Sequence, residues 1–302
     1  MDSRLHAVLT AHDNVCTTRQ LCAADVDEVE VARLVRAGEL VRLRRGLYVG
    51  GVQWRGATPE TQAVLRARAM LLDRPGAAAS HASAAALHGL PLYGTDTLVD
   101  LVADTPRLRT RGGVRLHPWP EGVESAPVGG QPAVPVAVAI AQMSLGSSIP
   151  ALVCLDRALH EQAVTKDSVL TAGEALGLVP RARARLDRLL DLADPGCESV
   201  GETRTRVMLV DLGLHVRSQV DIHDAEGFVG RVDFLVGERV VVEFDGMVKY
   251  GGADGRRALQ AEKAREDRLR AAGYVVVRLV WSDLDDAARV HALIQRALRQ
   301  AA

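Results

Sequence analysis

Leu5, Val8 and Leu9 recur at the spacing of one helix face, which predicts a first helix over residues 3–12. Two helix starts follow, because Thr17-Thr-Arg-Gln20 and Asp27-Glu-Val-Glu30 both have the spacing of a capping box. In the helix from Asp27, Val31, Leu34 and Val35 form the apolar stripe, with Glu28, Arg33 and Arg36 outward and Gly38 at the C-cap. Leu40-Val-Arg-Leu-Arg-Arg-Gly-Leu-Tyr-Val49 then reads as two strands around an Arg44-Arg45-Gly46 turn. Three helices and a basic hairpin describe a winged helix-turn-helix. In such a module the helix from Asp27 enters the major groove of duplex DNA. Arg33, Arg36, Arg42, Arg44 and Arg45 are the residues placed to hold it.

The apolar pattern changes after Asp194-Pro-Gly196. A helix (198–212) and a strand (216–222) lead into Arg231-Val-Asp-Phe-Leu-Val-Gly-Glu-Arg-Val-Val-Val-Glu-Phe-Asp245, two apolar strands interrupted by acids. A helix (256–272), an apolar strand (274–280) and a last helix (285–300) complete an αβββαβ(α) order. Buried carboxylates are costly unless paired, hydrogen-bonded or bound to a metal. Acids converging from adjacent strands suit a Mg²⁺ or Mn²⁺ site for phosphodiester hydrolysis. Geometry imposes a parity condition. A two-residue Gly237-Glu238 turn sets Asp233 and Glu243 on opposite faces, whereas an odd loop sets them on one.

Between these segments helices alternate with short strands, separated by Gly- and Pro-rich loops at 105–113 and 119–135. His81 and His88, seven apart, lack the three- or four-residue spacing of a helical metal pair. Asp100, Asp104 and His117 show no recognisable constellation, so no active site is expected here. The expected organisation is an α+β multidomain chain: a winged helix (1–55), a middle α/β spacer or partner-binding domain (56–195) and a C-terminal α/β domain (196–302).

Composition narrows the class. A hydrophobic content of 48%, a charged content of 25% and a net charge of −1 are those of an ordinary globular protein. Any affinity for nucleic acid must therefore be local: the first 55 residues hold eight Arg against seven acids. Cys16, Cys22, Cys154 and Cys197 form no C-x-x-C pair, which argues against a zinc ribbon or a disulfide framework. No apolar run follows Asp2 and Arg4, so no secretory leader is expected. The most apolar stretch, 133–145, is too short to span a bilayer, and a cytoplasmic location is the expectation.

Two resemblances sharpen this picture. The run from Thr17 to Tyr48, with Leu34-Val-Arg-Ala-Gly-Glu-Leu-Val-Arg-Leu-Arg-Arg-Gly-Leu-Tyr48, resembles the N-terminal winged helix of AbiEi-type antitoxins, and Ser80-His-Ala-Ser-Ala-Ala-Ala-Leu-His-Gly-Leu90 is similar to the segment that follows it. That resemblance covers about the first 100 residues and implies a regulator of a toxin–antitoxin operon, with a cognate toxin as a partner. Glu198-Ser-Val-Gly-Glu-Thr-Arg-Thr-Arg206, Gly230-Arg-Val-Asp-Phe234 and Val242-Glu-Phe-Asp-Gly246 resemble the PD-(D/E)XK superfamily of restriction-endonuclease-like folds, in its very-short-patch-repair-like branch. The resemblance implies that Asp233 and Glu243 are metal-binding acids and that Glu202 is the acid of the first helix. Where the superfamily has Glu-x-Lys, this chain has Glu243-Phe-Asp245. Asp245 is then a candidate third metal ligand, Lys249 or Lys263 the candidate replacement cation, and Gln219 a candidate water-positioning residue. Two functions are open: a Mg²⁺-dependent DNA endonuclease, or a non-enzymatic regulator with a degenerate nuclease fold.

Overall fold

The computed structural model describes residues 3–246 and 252–302, except for the side chains of 252–259. It divides into two compact units, Met1–Ala158 with Gln162–Asp191 and Leu159–Glu161 with Leu192–Ala302.

The first unit begins with α1 (Ser3–Ala11), β1 (Val15–Thr17), α2 (Thr18–Ala23), α3 (Glu28–Arg36), β2 (Leu40–Arg44) and β3 (Leu47–Gly50). The strands form an antiparallel sheet of order β1-β3-β2, which is winged-helix topology. Thr17 and Gln20 close a full capping box at α2. At α3 only half the box forms. Asp27 accepts from the Glu30 amide at 2.8 Å, while the Glu30 carboxylate is taken by Arg33. Leu5, Leu9, Leu21, Leu34, Leu40 and Tyr48 make the buried core. A short helix, α4 (Gly51–Gly56), follows β3 and leads into α5 (Pro59–Leu72).

The unit continues through β4 (Ala78–Ala79), α6 (His81–Leu87), β5 (Val99–Ala103), β6 (Arg109–Arg111), β7 (Val114–Pro118), β8 (Ala126–Val128) and β9 (Gln131–Ala133). These strands form a mixed sheet of order β6-β7-β5-β4-β9-β8. Four helices follow: α7 (Val136–Met143), α8 (Ser148–His160), α9 (Lys166–Ala175) and α10 (Pro180–Leu192).

The second unit holds α11 (Val200–Asp211), β10 (Val216–Asp224), β11 (Gly227–Val236), β12 (Val240–Phe244), α12 (Gly252–Ala271), β13 (Val275–Leu279), a 3₁₀ turn (Asp283–Asp285) and α13 (Ala287–Ala301). Its sheet runs β10-β11-β12-β13. The β12–β13 pair is parallel, as a crossover through α12 allows. Both faces are covered. Phe234, Val236, Val242 and Leu279 pack with Leu209 of α11 and Val290 and Ile294 of α13. Val232, Leu235 and Val241 pack with Leu269 of α12. Burial on both faces explains the nearly continuous apolar runs of β12 and β13. Among the described residues, no helix is long and apolar enough to cross a membrane.

Candidate functional site

Three groups of polar side chains stand out. The first lies on the winged helix. Arg36 of α3 and Arg42 and Arg45 of the β2–β3 hairpin line one groove, together with Thr18, Glu28 and Tyr48. All three arginines are exposed. Gly46 makes the turn beside them at φ +82°, a left-handed conformation in which Gly carries no Cβ penalty. The other two expected arginines are engaged elsewhere. Arg33 pairs with Glu30 at 2.7 Å, and Arg44 turns back to Asp73 at the end of α5.

The second group is in the second unit. Val236 pairs with Val240, so the β11–β12 loop is Gly237-Glu238-Arg239, with Gly237 at φ +62°. Three is odd, and carrying the register one step further sets Asp233 opposite Glu243. The backbone ladder stops there because Asp233 Oδ2 accepts the Phe244 amide at 2.8 Å. Burial pushes Asp233 up to about 6 against that hydrogen bond, and Glu202 adds to the rise. Burial also raises Glu243, opposed by Arg265 and Arg278.

Glu202 does not form the exposed i,i+4 pair with Arg206 that its spacing suggests. Its carboxylate accepts the Glu198 amide at 2.9 Å and the Gln219 side-chain amide at 3.3 Å. Arg206 is instead buried, donating to the Leu192 carbonyl and to Cys197 Sγ. The cation beside Glu243 is Arg265 of α12, which also donates to the Arg231 carbonyl at 3.0 Å. Arg278 of β13 lies 3.7 Å from the same carboxylate and is held by Glu262 and Glu266. Lys263 is exposed, and Lys249 lies outside the described residues. Asp245 follows the end of β12 and donates its amide to the Leu279 carbonyl at 2.8 Å. The ligand atoms of Asp233, Glu243 and Asp245 are not gathered within 4.8 Å of one another. Arg265 and Arg278 sit in alternating-charge or apolar contexts that read as a solvated face and a core strand, so the sequence pattern did not single them out.

The third group was not expected. Asp100 of β5 and His117 of β7 lie on parallel neighbouring strands with Asp100 opposite Arg115 and Val102 opposite His117. Side chains two apart share a face, so Asp100, Arg115 and His117 converge. His117 Nε2 is 2.8 Å from Asp100 Oδ1, and Arg115 donates to both Asp100 oxygens at 2.7 and 2.8 Å. Against the burial that raises it, these hydrogen bonds hold Asp100 down at about 2. His81 opens α6 at φ +47° and stacks on His117 with ring centroids 4.0 Å apart. Gln142 accepts the His81 amide at 3.1 Å, and Ser80 Oγ lies 3.1 Å from His81 Nδ1. Burial, then the neighbouring His117, pushes His81 down to about 3, so its ring is neutral. Among the described residues, His81, Asp100 and His117 are the one group of three such side chains with ligand atoms within 4.8 Å of one another. The signal was present: Asp100 interrupts the apolar run Leu98-Val-Asp-Leu-Val102 as Asp233 interrupts its own strand.

Residues 9–49 match the family model described as "Transcriptional regulator, AbiEi antitoxin". That span runs from the end of α1 to β3, so the winged helix is the part of the chain that is similar to this regulator family. A solved structure, that of the RV2827C protein from Mycobacterium tuberculosis, matches at 19% identity and a TM-score of 0.39, covering 74% of this chain and 88% of that chain. No curated protein matches.

Proposed function

We propose that this protein is a DNA-binding transcriptional regulator of the antitoxin type, working in the cytoplasm on a double-stranded operator. One observation carries the reading: Arg36, Arg42 and Arg45, from α3 and the wing, line a common groove. A helix and a hairpin presenting cations on one face can lay α3 along the major groove while the wing holds a phosphate backbone. The similarity of residues 9–49 to an AbiEi antitoxin regulator supports the same conclusion and suggests a cognate toxin as partner. Footprinting across the DNA upstream of its own coding sequence tests it. A protected site that appears at sub-micromolar protein supports the reading, and uniform weak coverage contradicts it.

A second reading is favoured by the register that sets Asp233 opposite Glu243. Those two acids would hold a Mg²⁺ or Mn²⁺ ion, which would lower the pKa of a bound water and polarise a scissile phosphate, while Asp245 is not gathered with them. Glu202 and Gln219 would orient water from α11 and β10, and Arg265, or Lys249, would offset phosphate charge. The engagement of Glu243 by Arg265 favours a nuclease fold retained without cleavage. Supercoiled plasmid incubated with Mg²⁺ or Mn²⁺ decides between them. Nicking that disappears in Asp233→Ala and Glu243→Ala establishes the enzyme, and intact plasmid at every metal concentration leaves the regulator.

A further inference from the structure

The geometry points to a binding site for a divalent transition-metal ion of the zinc class at His81, Asp100 and His117, in the segment after the winged helix. The three side chains come from α6, β5 and β7, so the site exists only in the folded unit. Two imidazoles and one carboxylate, with one ligand atom each inside a 4.8 Å span, make a donor set that suits Zn²⁺, Co²⁺, Ni²⁺ or Fe²⁺. Magnesium and calcium prefer oxygen donors and fit it poorly.

The surroundings are those that support metal ligands. A ligating carboxylate is usually held by hydrogen bonds of its own, and Arg115 holds Asp100 through both oxygens. A ligating imidazole is usually oriented through its second nitrogen, and Ser80 Oγ stands at His81 Nδ1. That contact leaves Nε2 as the donor of His81. His117 Nε2 lies 2.8 Å from Asp100 Oδ1, so an ion bound there would replace that hydrogen bond between two ligand atoms.

Three protein ligands leave a coordination position free, the arrangement of an open site and not of a closed structural one. The open side faces a cavity of about 440 Å³ whose lining includes Gln142, Met143, Leu145 and Pro150. A water or a small anionic ligand can complete the coordination from there.

The experiment is a titration of the metal-free full-length chain with Co²⁺, followed by visible absorption, with X-ray absorption on the Zn²⁺-loaded wild type. One Co²⁺ per chain is expected, with d–d bands of a four- or five-coordinate site. Affinity should fall at least about tenfold in His81→Ala and His117→Ala and by a similar factor in Arg115→Ala. The Zn²⁺ spectrum should show nitrogen and oxygen neighbours with imidazole scattering from two rings. Sulfur neighbours, or a single ring, overturn the proposal even if the variants fail to fold. Bands that survive both histidine substitutions, or vanish in Asp233→Ala, assign the ion elsewhere and overturn it. Absence of Co²⁺ binding at millimolar concentration does the same.

Discussion

Asp233 and Glu243 face each other across the β11–β12 hairpin because its loop has three residues, and Asp233 ends the ladder by taking the Phe244 amide. One carboxylate thus replaces a backbone acceptor at the point where two apolar strands separate. Its burial, with a smaller contribution from the charge of Glu202, accounts for a proton held more tightly than usual.

That tight proton sets a pH dependence. The folded pKa of Asp233, about 6, lies above its ordinary value of 3.8. Between those values the native state binds more protons than the unfolded chain, so stability falls as pH rises from about 4 to 6 and then levels. Asp233→Asn keeps an oxygen for the Phe244 amide and removes the charge. It should stabilise the protein at pH 7–8 by about 2 kcal/mol, after allowance for residual solvent screening. The gain should fade below pH 4. Urea titrations of both proteins across this range check it, and a destabilised variant at pH 8 contradicts it.

A methyl group at Gly201 would overlap the Phe244 ring, so α11 reaches β12 only because that position lacks a Cβ. Gly201→Ala should cost about 1–3 kcal/mol by overpacking. The double variant with Phe244→Ala should lose less than the sum of the two single changes. Additive losses in a thermodynamic cycle would show that the two residues do not press on each other.

Thiol reactivity should separate the cysteines. Burial pushes both Cys16 and Cys154 up to about 12, and Cys197 is buried against Arg206, whereas Cys22 is exposed. The thiolate is the reactive form. In native protein at pH 8 one thiol, that of Cys22, should react fast with a disulfide reagent. Cys22→Ser should abolish the fast phase, and a fast phase that persists refutes the assignment.

Much of the architecture was legible because it rests on local chemistry. The capping residues Thr17 and Asp27 mark helix starts within one residue, and the αβββαβ(α) order of the second unit follows from apolar runs separated by turn residues. What was hidden depends on non-local pairing. The loop parity at Gly237 is a matter of one residue of register, and only the pairing of Val236 with Val240 decides it. His81, Asp100 and His117 meet through a mixed sheet whose strand order departs from chain order, so no spacing could announce them. Arg44 illustrates the reverse case. Its place at the tip of a basic hairpin suggests a phosphate contact, yet its guanidinium pairs with Asp73.

If Arg36, Arg42 and Arg45 hold duplex DNA, binding must depend on salt through those three side chains. Fluorescence anisotropy with operator DNA should give a line of log affinity against log salt. Its slope should be shallower by about 3 in the triple alanine variant, close to 0.9 for each phosphate contact removed. Arg33→Ala with Arg44→Ala should leave the slope nearly unchanged, since both residues are already paired with carboxylates. A triple variant with the wild-type slope would mean that the DNA is held by some other surface.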